Sequence, residues 1–152
     1  MKTDDRTLLL VEDNPDDIFL MRRALKKSGL DLSLQIVTDG KQALDYLRGT
    51  TPYEDRRQYP LPTWIFLDLK LPYLNGFEVL EWIRRESSVR HLEVVILTSS
   101  SEDRDKETAE KLAAKAYLVK PPTVQSLLGV FQPFPMPAAA SHLQSYAVAD
   151  RV

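Results

Sequence analysis

Four places in this chain carry groups that could act together on an anionic substrate: Glu12-Asp13, Asp68, Thr98 and Lys120. Each directly follows a short aliphatic run, respectively Thr7–Val11, Trp64–Leu67, Val94–Leu97 and Ala116–Val119. Three carboxylates gathered at one point repel one another unless a cation joins them. The Lys120 ammonium alone leaves the set two charges negative. An acidic, all-oxygen donor set suits Mg²⁺, which takes one or two carboxylates and keeps several waters. Taken singly, Asp13 and Asn14 read as helix caps, Asp68 as a turn aspartate and Lys120 as a surface lysine. Their recurrence at the ends of successive runs is what reads as a site.

The elements that must position these groups follow from the pattern. The four runs, with a fifth at Leu34–Val37, are four or five residues long and show little polar alternation. That is expected of strands buried on both faces of a parallel sheet. Between them lie amphipathic stretches. Asn14-Pro15 offers an N-cap and a first-turn proline for a helix through Ile18, Met21 and Leu25, with Gly29 at its end. Lys41–Arg48, closed by Gly49, is a second helix; Phe77, Leu80 and Ile83 mark a third. The charged stretch Glu102–Lys115 reads as a fourth, and Val124, Leu127, Leu128 and Phe131 as a short fifth stopped by Pro133. Five such β–α units predict a doubly wound α/β domain, in which sites lie beyond the carboxyl ends of the strands. Thr50–Pro62, polar and proline-bearing, interrupts the rhythm and reads as an insertion.

Composition narrows the function classes. The 152 residues hold 20 Lys plus Arg against 22 Asp plus Glu, and this balance does not support binding to nucleic acid or to an anionic membrane. The absence of cysteine excludes disulfides, thiolate metal sites and a cysteine nucleophile. His91 and His142 are too few and too far apart for a histidine-built metal site. No phosphate-binding glycine loop of either common type is present. With no apolar run long enough for a membrane span and no signal-like start, a cytoplasmic protein is expected. Arg22-Arg23-Lys26-Lys27 forms a small basic strip on the first helix, readable equally as a partner contact or a solvated face. Charge then stops: residues 121–152 contain only Asp150 and Arg151 of the charged types, and half of that tail is apolar. Phe134, Met136, Leu143, Tyr146 and Val148 should pack against the domain itself or another subunit. The expectation is a homodimer made through the last helix and the arm that follows it.

Five motifs in order carry a resemblance: Leu10-Val11-Glu12-Asp13-Asn14, Leu67-Asp68-Leu69-Lys70-Leu71-Pro72, Asn75-Gly76, Leu97-Thr98-Ser99 and Tyr117-Leu118-Val119-Lys120-Pro121. Over about residues 6–131 the chain resembles the receiver domain of two-component response regulators, leaving 132–152 as an apolar, proline-rich arm. Val11-Glu12-Asp13-Asn14-Pro15-Asp16-Asp17 and the long link before the third strand are similar to stand-alone receivers associated with bacterial phytochromes. The resemblance implies a flavodoxin-like sheet of order 2-1-3-4-5. It implies Asp68 as phosphoacceptor from a sensor histidine kinase, and Glu12 and Asp13 as the acidic pair holding Mg²⁺ with Asp68 and the Lys70 carbonyl. Lys120 would be the fixed cation for the phosphoryl oxygens. Thr98 and Tyr117 would form the switch, the Thr98 hydroxyl drawn to the phosphate and Tyr117 swinging into vacated space. Such a chain takes part in its own phosphorylation and dephosphorylation without being an enzyme on another substrate.

Two other readings compete. Mg²⁺-dependent phosphohydrolases also use a strand-end aspartate, but place a second aspartate two residues later, where Lys70 stands here. A phosphorylation-independent pseudo-receiver scaffold would not need the full set Glu12, Asp13, Asp68, Thr98 and Lys120. A tail of this size leaves no room for a DNA-binding output module, so output is expected to run through protein contacts.

Overall fold

The structure, a computed structural model, describes residues 4–131 of the 152. The arm 132–152, with Phe134, Met136, Leu143, Tyr146 and Val148, lies outside the described residues. Strands β1 (Asp4–Val11), β2 (Ser33–Val37), β3 (Pro62–Leu67), β4 (Glu93–Thr98) and β5 (Ala116–Val119) alternate with five helices. These are α1 (Pro15–Ser28), α2 (Gly40–Arg48), α3 (Gly76–Arg85), α4 (Asp103–Lys111) and α5 (Val124–Phe131). All strand pairs are parallel, in the order β2-β1-β3-β4-β5. This is the flavodoxin-like order expected of the fold class. No helix among the described residues is long and apolar enough to cross a membrane.

The aliphatic runs form strands because both of their faces are covered. In β1, Leu8 and Leu10 point into a layer with Met21, Ala24 and Leu25 of α1 and Leu127 of α5. Leu9 and Val11 point the other way, to Ala43 and Leu47 of α2, Val79, Leu80 and Ile83 of α3 and Ala109 of α4. Each buried Leu contributes about 1.5–3 kcal/mol relative to exposure. A run without polar alternation is therefore stable only in the middle of such a sandwich.

Helix ends follow local chemistry. Asn14 Oδ1 accepts from the Asp16 and Asp17 amides at 2.8 and 3.3 Å, and Gly29 closes α1 at φ 73°. Asn75 and Glu78 exchange side-chain-to-backbone hydrogen bonds of 3.0 and 3.1 Å, starting α3 with a capping box.

Two segments differ from the pattern-based expectation or add to it. The charged stretch to Lys115 does not remain helical: α4 ends at Lys111, Ala113 adopts φ 59°, and the Lys115 amide donates to the Val94 carbonyl as β5 begins. The chain must turn there to enter the sheet, and the Arg84 guanidinium holds the turn through the Leu112 and Ala113 carbonyls. The link 50–61 contains no helix or strand, yet it is packed. The Tyr46 hydroxyl donates to the Pro60 carbonyl at 2.8 Å, and the Tyr46, Tyr53 and Tyr59 rings cluster at centroid distances of 5.1–6.0 Å.

Candidate functional site

Parallel pairing in register brings the strand ends to one edge. Val11 pairs with Leu67 and with Val37, so Glu12-Asp13 and Asp68 leave the sheet side by side. Backbone bonds continue the alignment: the Asp68 amide donates to the Val11 carbonyl at 3.2 Å and the Lys120 amide to the Thr98 carbonyl at 2.8 Å. Carboxylate oxygens of Glu12, Asp13 and Asp68 lie within 4.8 Å of one another. Asp13 is exposed while Glu12 and Asp68 are buried. Among the described residues this is the group with donors suited to a metal ion. Its hard oxygen donors, shut in on one side and open at Asp13, fit a small divalent cation that keeps water ligands.

Lys120 crosses to this cluster from β5. Its ammonium pairs with Glu12 Oε1 at 2.6 Å, Asp17 Oδ2 at 2.8 Å and Asp68 Oδ2 at 3.0 Å. Burial works against the Lys120 charge, but hydrogen bonds to Asp17, Glu12 and Asp68 outweigh it and raise its pKa above the ordinary value. Glu12 is pushed up, first by burial and also by the Asp68 charge, against the hydrogen bond from Lys120. With Asp13, four carboxylates thus gather around one ammonium, and the negative excess is larger than the sequence count without Asp17 suggested.

The loop after β3 is shaped around Asp68. The exposed Lys70 donates its amide to Asp68 Oδ1 at 3.4 Å, and the Gly76 amide donates to the Leu69 carbonyl at 2.9 Å. A Cβ at Gly76 would collide with the Asp68 carbonyl oxygen and lie 2.8 Å from Leu69 Cα, so α3 approaches this closely only because residue 76 is glycine. Thr98 is fully buried, and its hydroxyl oxygen accepts from the Ser100 amide at 3.3 Å. Tyr117 is also fully buried, with its hydroxyl donating to the Ser100 carbonyl at 2.9 Å. The pattern-based reading brought Tyr117 inward as a consequence of phosphorylation; in this structure the ring is inward and tied to the loop that follows Thr98.

Residues 8–132 match the response regulator receiver domain. The chain belongs to that family. The receiver is 38% identical over 120 residues to the probable methanogenesis regulatory protein FilR2 of Methanothrix harundinacea, covering 79% of this chain and 75% of FilR2. It is 35% identical over 127 residues to the response regulator Rcp1 of Synechocystis, covering 84% of each. The Mn²⁺-bound structure of Rcp1 superposes with a TM-score of 0.75 at 33% identity, over 88% of this chain and 99% of that one. The bacteriophytochrome response regulator RtBRR does so with a TM-score of 0.75 at 35% identity, over 97% of this chain and 90% of that one. The receiver is therefore similar to phytochrome-associated response regulators along most of their length.

The structure brings together Glu12, Asp13, Asp68 and Lys120, with the Lys70 backbone and the Thr98 strand end at the same edge. The sequence reading missed Asp17 as part of the site. Its signal in the sequence is its place in the motif Val11-Glu12-Asp13-Asn14-Pro15-Asp16-Asp17, in the first turn of the helix that Asn14 caps.

Proposed function

We propose that this receiver accepts a phosphoryl group on Asp68 from a phosphohistidine of a sensor kinase and passes the signal on through protein contacts. One observation carries the reading. A buried strand-end carboxylate, Asp68, sits 3.0 Å from a part-buried ammonium, Lys120, and beside two further carboxylates. An Asp68 carboxylate oxygen attacks phosphorus while the phosphorus–nitrogen bond to the kinase histidine breaks, its electron pair remaining on the imidazole. Lys120 then turns one N–H toward a phosphoryl oxygen, supplying fixed positive charge where negative charge gathers. Glu12, Asp13, Asp68 and the Lys70 carbonyl would hold Mg²⁺. When bound, the metal neutralises the carboxylates and the incoming phosphoryl oxygens together.

The switch in this reading is the segment from Thr98 to Ser100. A Thr98 hydroxyl turned toward the phosphoryl group draws the loop inward. The Tyr117 hydroxyl follows through its bond to the Ser100 carbonyl, so the ring reports the loop position by choosing between this inward rotamer and an outward one. The likeness to RtBRR, a bacteriophytochrome response regulator, supports a phytochrome-type histidine kinase as the phosphodonor. The apolar composition of residues 121–152 supports a homodimer contact through α5 and the arm that follows it.

Incubation with acetyl phosphate and Mg²⁺ should give an acid-stable, base-labile adduct that disappears in Asp68→Asn. Labelling that persists in that variant rules the assignment out. Sustained release of phosphate from a generic phosphomonoester would instead favour a hydrolase. For the dimer, removal of residues 133–152 should halve the mass in solution; an unchanged mass excludes that contact.

A further inference from the structure

We infer that Asp17 is a positioning residue for Lys120, the tether that keeps the ammonium at the site when its other partners are engaged elsewhere. The inference rests on the phosphoryl-acceptor reading above and deepens it. A lysine ammonium has three N–H donors. Here they meet three carboxylates, Glu12, Asp17 and Asp68. Two of these belong to the acidic trio suited to a divalent cation, and Asp17 does not.

A cation drawn to Glu12, Asp13 and Asp68 competes directly with Lys120 for Glu12 and Asp68, and repels the ammonium. A phosphoryl group on Asp68 claims one N–H as well. Of the three carboxylates, Asp17 is the partner that neither event consumes. Without it a four-carbon stem would have to hold its charge in place against the metal, with several rotatable bonds free to swing the ammonium toward solvent.

Asp17 is itself well held. It lies in the first turn of α1, where the Asn14 side chain accepts from its amide at 3.3 Å. Lys120 follows the edge strand β5, three strands from β1 and 103 residues away from Asp17 in sequence. Its side chain is only 10% exposed and that of Asp17 28% exposed, so the pair is shielded from solvent on the lysine side and open on the aspartate side. This placement lets Lys120 pivot: one N–H stays on α1 while another moves from Asp68 to a phosphoryl oxygen. Asp17 touches no reacting atom, so its effect must pass through Lys120.

The test compares the full-length wild type with Asp17→Ala, Asp17→Asn, Lys120→Ala and the Asp17→Ala/Lys120→Ala double variant. The rate of labelling from acetyl phosphate is read at saturating Mg²⁺, and Mg²⁺ affinity is read separately from the metal-dependent shift in Tm without phosphodonor. Asp17→Ala should slow labelling by about tenfold, short of the ~10²-fold that a 1 Å misplacement of a catalytic group can cost. Asp17→Asn, which keeps an acceptor oxygen, should recover part of the rate. In the Lys120→Ala background, Asp17→Ala should change nothing further, because the two act as one unit.

An equal fold-loss from Asp17→Ala in both backgrounds overturns the inference, as does an unchanged rate in a wild type that labels normally. Weaker Mg²⁺ binding by Asp17→Ala, with a labelling rate that returns to wild type once Mg²⁺ saturates, also overturns it, by making Asp17 a metal ligand. A wild type that takes no label removes the acceptor reading, and the tether with it.

Discussion

The two ends of the sheet hold cations in opposite ways. At the carboxyl end, Lys120 is surrounded by carboxylates, and their hydrogen bonds and charges raise its pKa against the cost of burial. At the amino end, Arg84 and Arg56 are held by backbone carbonyls. Arg84 donates to the carbonyls of Leu112, Ala113, Arg90 and Leu92 at 2.8–3.0 Å, and Arg56 to those of Tyr46, Leu47 and Tyr59 at 2.8–3.2 Å. Burial lowers the pKa of both arginines, and the Glu93 charge opposes the shift at Arg84 without cancelling it. A planar guanidinium with five donors matches a fixed array of carbonyls and locks it, whereas an ammonium on a long stem can exchange one oxygen partner for another. The amino end is stapled and the carboxyl end is held by a group that can exchange partners, which is the division the proposed switch would require.

The comparison can be broken most strongly at Lys120. Lys120→Ala should slow Asp68 labelling by about 10²–10³-fold, the scale seen when one preorganised charge-stabilising donor is lost. Labelling kinetics with acetyl phosphate measure it, and a loss under tenfold would move the phosphoryl-stabilising role to another group. At the other end, Arg84→Ala should leave labelling of the folded protein near wild type but cost about 2–4 kcal/mol of stability, because several carbonyls lose a charged donor together. Urea unfolding checks this, and Arg84→Lys should recover only part, lacking the fork.

Arg56→Ala should cost less, about 1–3 kcal/mol. Arg56 bonds three carbonyls, at the end of α2 and in the link, whereas Arg84 bonds four across two turns that feed β4 and β5. The same unfolding experiment ranks the two arginines, and equal costs would show that the link is as integral as those turns.

The smallest effect is a pH dependence at the carboxyl end. The Glu12 pKa is raised above 4.5 in the fold, so the folded protein holds that proton more tightly than the unfolded chain. Stability without metal must therefore fall as pH rises from about 4.5 through the raised value. Following Tm against pH in chelator, wild type should lose stability relative to Glu12→Gln across that interval, and parallel curves would remove Glu12 as the source.

Much of this arrangement is legible in the residues. Strands are readable because a run such as Leu8–Val11 has no polar face, and the site is readable because each chemical residue directly follows such a run. Caps at Asn14, Asn75, Gly29 and Gly49 are local and depend only on near neighbours. The end of α4 was not readable. Leu112 through Lys115 have acceptable helical character, and the turn is imposed from outside the segment, by entry into β5 and by Arg84 reaching over from α3.

By itself the sequence determined the α/β class, the strand ends and the donor types at each end, since periodicity, adjacency and charge are properties of neighbouring residues. Tertiary structure alone decided that Asp17 shares Lys120 with Glu12 and Asp68, that Tyr117 is tied to Ser100, and that Arg56 and Arg84 staple the opposite end. The physical reason is distance. A hydrogen bond or ion pair forms only when its polar atoms lie within about 3–4 Å, and which side chains from separate elements come that close is set by how helices pack on the sheet.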